Sequence, residues 1–86
     1  MFTGIVQERA PVVSLAPFDG GLRLVLGLSA PRRAGLALGA SVAVNGTCLT
    51  VTKVSEDGVA FDIIHETLRL TNLGSLQEGV EVNVER

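Results

Sequence analysis

Thr47-Cys48-Leu49-Thr50-Val51-Thr52-Lys53-Val54-Ser55-Glu56-Asp57-Gly58-Val59-Ala60-Phe61-Asp62-Ile63-Ile64 is the stretch that decides how this chain folds. Runs rich in β-branched residues flank Glu56-Asp57-Gly58, and a three-residue loop with glycine last is a common connection between antiparallel strands. The pattern predicts strands over 47–55 and 59–64. With Ser55 opposite Val59, counting back sets Val51 against Ile63 and Leu49 against His65. The same count sets Thr52 against Asp62, Thr50 against Ile64 and Cys48 against Glu66. Side chains alternate along a strand, so the hairpin has two faces. Leu49, Val51, Phe61 and Ile63 form the face that must be core. Lys53 falls on that side and must carry its ammonium group out to water near the turn, and His65 falls there too, at a strand end. The opposite face carries Cys48, Thr50, Thr52, Asp62, Ile64 and Glu66.

Outward from the hairpin, Asn45-Gly46 is a turn dipeptide because both residues tolerate positive φ, and Ser41–Val44 before it is a short strand. Val80, Val82 and Val84 alternate with Glu81, Asn83 and Glu85 in a final strand. Residues 4–16 read as one long strand or two, with Pro11 marking an edge or bulge, and 17–21 as a turn. Leu22, Leu24 and Leu26 form one face of the next strand. Ser29, Pro31 and Gly35 suit the start, first turn and stop of a short helical segment. Residues 36–39 read as a loop. Glu66–Leu70 is a second helical turn, ended by Asn72-Leu73-Gly74. These elements make an all-β fold: a small closed six-stranded antiparallel Greek-key barrel with one or two short helical turns. Closure removes the edges that so small a sheet would otherwise expose.

The composition agrees. Eighty-six residues make a single domain, 1–86, without repeat or linker. A chain this short hides only about 60 % of its unfolded surface. Three Phe and no Tyr or Trp leave the core to aliphatic residues. A net charge of −2 with no basic run excludes the electrostatic footprint of nucleic-acid binding. No apolar stretch approaches the roughly 20 residues that cross a bilayer. One Cys and one His form neither a disulfide nor a recognisable zinc site. The opening residues show no signal-peptide pattern, and a cytoplasmic protein is expected.

The polar face of the hairpin suits either plain solvation or a planar ligand held by a few hydrogen-bonding groups. Cysteine is usually buried, and Ile64 lies on the same polar face; both favour a covered surface. As a nucleophile Cys48 is weakly supported, because a reactive thiol wants a neighbouring base or positive field. Its expected cross-strand neighbour, Glu66, brings negative charge. Arg32-Arg33 reads as a solvated pair, and the glycines form no phosphate-binding loop.

Several spaced motifs resemble the riboflavin synthase family. Met1-Phe2-Thr3-Gly4-Ile5-Val6 resembles its opening, and Ser41-Val42-Ala43-Val44-Asn45-Gly46-Thr47-Cys48-Leu49-Thr50-Val51 its hairpin. Phe61-Asp62, Glu66-Thr67-Leu68 and Thr71-Asn72-Leu73-Gly74 resemble its next segment, and Gly79-Val80 through Glu85 the last strand of its first barrel. That family has two similar barrels in tandem and works as a trimer, so this chain resembles the amino-terminal half.

The resemblance implies a transferase that dismutates two 6,7-dimethyl-8-ribityllumazine molecules to riboflavin and a ribitylamino-pyrimidinedione. It needs no metal or added cofactor, riboflavin being a product ligand. It further implies that Phe2 and Thr3 border the reacting rings, with Ser41 and Cys48 near them as polar groups. Thr50, Asp62, Ile64, Glu66 and Thr67 would bind the ring and ribityl chain. A chain of this length alone is expected to be a homodimer with little or no turnover. A non-catalytic antenna-type lumazine or flavin carrier is the competing expectation, and a purely structural barrel the third.

Overall fold

The computed structural model describes residues 7–29, 33 and 35–85. The expected strand entry at the first six residues, with Phe2 and Thr3, lies outside them. So does most of the helical segment expected over 29–35, although Arg33 N–H bonds Ser29 O at 2.9 Å in the helical spacing. The elements run β1 (Gln7–Phe18), β2 (Gly21–Leu26), β3 (Ser41–Val44), β4 (Thr47–Ser55), β5 (Gly58–Ile64), α1 (His65–Leu70), a 3-10 turn (Leu73–Ser75) and β6 (Glu81–Glu85). The strands close in the order β1-β2-β5-β4-β3-β6, all antiparallel. Successive hairpins join β3, β4 and β5, while the long 27–40 connection brings β2 beside β5, which is a Greek key.

Two strands turn the corners of this barrel. β1 pairs with β6 through Gln7–Pro11 and with β2 from Val12 onward, with a register shift between Val12 and Ser14. Pro11 therefore sits just before a bulge, as its missing N–H requires. β4 pairs with β3 through Thr47–Thr50 and with β5 from Val51 onward. The inward faces supply the expected aliphatic core: Leu24, Leu26, Val42, Val44, Val51, Val59, Ile63 and Val82 around Phe61, all essentially inaccessible. Leu73 of the 3-10 turn is also fully buried. Thr71 holds that turn in place: its Oγ1 donates to Thr67 O at 2.8 Å and accepts from Leu73 N–H at 3.2 Å.

The central hairpin departs from simple counting. Its loop has two residues, with Ser55 opposite Gly58, and the pairing runs Val54–Val59, Lys53–Ala60, then Val51–Phe61 across a bulge. Gly58 opens β5 at φ 145, where a Cβ would collide with Leu26 O, so glycine belongs to the strand and not to the loop. The shorter loop moves the register by one residue and the bulge by one more. Val51 thus faces Phe61 rather than Ile63, yet the faces stay as expected because the total shift is even. Leu49, Val51, Phe61 and Ile63 are buried, and Cys48, Thr50, Thr52 and Ile64 are exposed. Past the bulge the alternation reverses: Lys53 lies outside and Val54 packs against the core.

Three smaller differences follow from local chemistry. β1 continues through Pro17 to Phe18, so its turn is Asp19-Gly20 alone. His65 is not on the core side: it starts α1, exposed, with Nε2 3.0 Å from Asp19 O. Arg33 is half-buried, and its Nη1 donates to Leu28 O at 2.9 Å, so it is anchored rather than solvated.

Candidate functional site

The β4–β5 ladder stops at Val51–Phe61, although both strands continue on the same side of it. Val51 directs its backbone groups toward β3: its N–H bonds Ala40 O and its carbonyl accepts from Gly39 N–H, both at 2.9 Å. Neighbouring residues of an antiparallel strand bond to opposite sides, so Thr50 and Cys48 turn theirs toward β5. On β5, His65 N–H bonds Gly20 O at 3.1 Å on the β2 side. The same alternation turns the N–H and C=O of Ile64 and Asp62 toward β4. Two strand edges with donors and acceptors thus face each other where the ladder has no pairs. Open strand edges of this kind offer main-chain hydrogen bonds to an added strand or to a ligand.

The side chains around this gap come from four elements. Ser41 on β3 lies opposite Thr50 on β4, and both are exposed. Cys48 lies opposite Ala43 and is also exposed, so its thiol is not covered by the rest of this chain. Ile64, 57 % exposed, ends β5, and α1 then brings exposed Glu66 and half-buried Thr67 beside it. Glu66 is gripped by Arg69 one turn on, with Nη2 3.0 Å from Oε1. Ser41, Cys48, Thr50, Ile64 and Glu66 are exposed and Asp62 and Thr67 half-buried, with Ser41 and Thr50 adjacent across β3 and β4, while Phe2 and Thr3 fall outside the described residues.

Asp62, half-buried on the outer face of β5, meets Arg23 of β2 in a side-on fork. Arg23 Nε lies 2.7 Å from Oδ1 and Nη2 lies 3.1 Å from Oδ2. These hydrogen bonds hold the Asp62 carboxyl below its ordinary value; partial burial pushes the other way, and the guanidinium charge adds to the lowering. The reading of the sequence missed Arg23. Its partner lies 39 residues away, and only the β2–β5 pairing, a non-local contact, brings Arg23 opposite Asp62. Two concavities, of about 380 and 340 Å³, open on the barrel wall, the larger of them bordered by Arg23, Lys53 and Asp57. Their described linings include none of the expected site residues.

Comparison with known proteins agrees with this architecture. The model of the lumazine binding domain matches residues 3–86. Riboflavin synthase of Escherichia coli (strain K12) is 51 % identical over 86 residues, covering 100 % of this chain and 40 % of that protein. Riboflavin synthase of Mycobacterium tuberculosis (strain ATCC 25618 / H37Rv) is 46 % identical over 88 residues, covering 100 % of this chain and 43 % of that protein. The chain thus spans about two-fifths of the length of these relatives. The crystal structure of LumP complexed with riboflavin superposes with a TM-score of 0.89 at 32 % identity, over 99 % of this chain and 46 % of that one. With a family match over nearly its whole length and the closed six-stranded barrel described above, this chain belongs to the lumazine-binding domain family.

Proposed function

We propose that residues 1–86 are the amino-terminal lumazine-binding barrel of a riboflavin synthase. In this reading the barrel binds 6,7-dimethyl-8-ribityllumazine and riboflavin and supplies half of a dismutation site. The observation that carries this is the open β4–β5 edge. Its backbone groups at Cys48, Thr50, Asp62 and Ile64, left without ladder partners between these strands, would serve the carbonyl and N–H groups of a pyrimidinedione ring. Asp62, Glu66 and Thr67 meet the ribityl hydroxyls, Ile64 covers the ring, and Ser41 and Cys48 stand beside the reacting carbons, a role that the family resemblance also assigns to Phe2 and Thr3.

The reaction asks little of side-chain chemistry. The lumazine methyl is acidic because its carbanion delocalises into the ring, and a four-carbon unit passes from one lumazine to the other with no external oxidant. Holding two rings in register supplies much of the acceleration. A single barrel holds one ring, so turnover requires a second barrel and this chain alone has little or none. We propose a homodimer for the chain by itself, since exposed Phe18, Ile64, Leu70 and Val80 provide apolar surface for self-association. Sedimentation as a monomer at micromolar concentration would contradict it.

Fluorescence titration of the chain with riboflavin and with 6,7-dimethyl-8-ribityllumazine tests the function. Saturable binding of both is expected, and binding of neither would sink the reading. The likeness to a barrel complexed with riboflavin supports one other possibility, a flavin or lumazine carrier without catalysis. Absorbance of a lumazine retained through purification would point to that carrier, and a colourless preparation to the enzyme.

A further inference from the structure

We propose that Arg23 is a positioning residue of this site, fixing the Asp62 carboxylate as an acceptor for a hydroxyl of the ligand's ribityl chain. The inference rests on the reading above and deepens it. Asp62 and Arg23 are cross-strand partners on the outer face of β5 and β2, and both carboxylate oxygens are engaged at once. A side-on guanidinium fork fixes the plane of the carboxylate as well as its place. It uses one lone-pair direction on each oxygen and leaves the others to accept further bonds. The Asp62 side chain keeps 31 % of its surface, so those directions are reachable. The backbone of the same residue lines the open β4–β5 edge, so ring recognition by the main chain and hydroxyl recognition by the side chain meet at one position.

The charges around Asp62 leave Arg23 as its partner. On β2, Arg23 itself faces it. From β4 no described residue pairs with Asp62, and Lys53 lies beyond the bulge, paired with Ala60, where with Asp57 it lines the concavity that Arg23 also borders. On α1, Glu66 and Arg69 neutralise each other, and His65 is turned to Asp19 O. β1 offers Ala16 opposite Arg23, with no charge. Without Arg23 the carboxylate rotates out of its fixed plane, and it takes up a proton at the ordinary carboxylate pH instead of a lower one. In its protonated form one oxygen becomes a donor and no longer suits a donor hydroxyl.

The test compares two flavins that share a ring: riboflavin, with its ribityl chain, and lumiflavin, which has a methyl group there. The wild-type chain, Arg23→Gln, Arg23→Lys and Asp62→Asn are titrated with each by fluorescence from about pH 2.5 to pH 8, a range that spans the ordinary carboxylate pKa and the region below it. Arg23→Gln should weaken riboflavin about tenfold at pH 7, the scale of a charge-assisted hydrogen bond lost, and leave lumiflavin unchanged. Its acid limb for riboflavin should move to higher pH than that of wild type, and Arg23→Lys should fall between the two. Asp62→Asn should bind riboflavin as weakly as Arg23→Gln, without the acid limb.

Equal losses for both flavins in Arg23→Gln would show that the pair only braces the sheet, and unchanged riboflavin binding would also overturn the proposal. Both outcomes leave the ligand-binding reading standing. A wild-type chain that binds neither flavin overturns that reading and the role of Arg23 with it. Unfolding midpoints of the variants, expected close to wild type for a half-exposed pair, confirm that folded protein is being compared.

Discussion

Asn45 shows how much one side chain adds to its position. As the first residue of the β3–β4 turn it takes φ 49, followed by Gly46 at φ 85, the twist that a two-residue hairpin demands. That role is legible in the dipeptide. A second role is not: Asn45 N–H bonds Asn83 O and its Oδ1 accepts from Asn83 N–H, both at 2.8 Å. Among the described residues the β3–β6 ladder pairs Ala43–Glu85 and Val44–Val84, and Asn45 extends that seam. Asn45→Gly keeps the turn conformation and deletes the acceptor. It should lower stability by about 1 kcal/mol, the worth of one such bond, in urea unfolding; an unchanged midpoint would mean that the bond carries nothing. Cys48 is the contrasting residue. It is exposed and no described side chain bonds it, so Cys48→Ser should change stability by no more than about 0.5 kcal/mol and leave riboflavin binding largely intact. A collapse of the fold in that variant would instead mark the thiol as structural.

The central hairpin shows what alternation alone can and cannot reveal at the scale of an element. The two faces are readable because period-2 patterning survives any even change of register. The partners are not readable, because neither the two-residue loop nor the bulge after Val51 leaves a clear mark in composition. The bulge has a local physical sign: Thr52 Oγ1 reaches Ala60 O at 3.2 Å, bridging the place where the ladder shifts. It also resolves the apparent misfit of a lysine on the core side by moving Lys53 outward and Val54 inward. Two substitutions separate these alternatives. Lys53→Ala should be within about 0.5 kcal/mol of wild type, whereas Val54→Lys should cost about 1–3 kcal/mol by bringing a charge against apolar neighbours. Strict alternation without a bulge predicts the opposite ranking in thermal or urea unfolding. The same corner sends the start of β4 to β3 and opens its edge toward β5, so the irregularity that hides the register also makes the candidate site.

On the scale of the molecule, the site is part of the barrel wall and not an appendage. Its backbone groups belong to β4 and β5, whose inward residues Leu49, Val51, Phe61 and Ile63 lie in the core. Closed topology and core were legible because six short alternating segments with aliphatic faces admit few other arrangements. Arg23 beside Asp62 was not legible, because their meeting depends on β2 crossing to β5 through the long 27–40 connection. Because wall and site are the same strands, ligand binding should couple to unfolding of the whole barrel and not to a local loop. A ligand bound by the native state alone adds RT ln(1 + [L]/Kd), about 2.7 kcal/mol at a hundredfold excess over Kd. Each kcal/mol moves the midpoint of a domain this size by about 4–8 °C. Riboflavin at that excess should therefore raise Tm by roughly 10–20 °C, in one cooperative transition that climbs with the logarithm of ligand concentration. Far-ultraviolet circular dichroism and calorimetry should report the same shift. A riboflavin-dependent change confined to one probe would place the binding groups on a segment that opens independently of the core, and that would contradict a site made from β4 and β5.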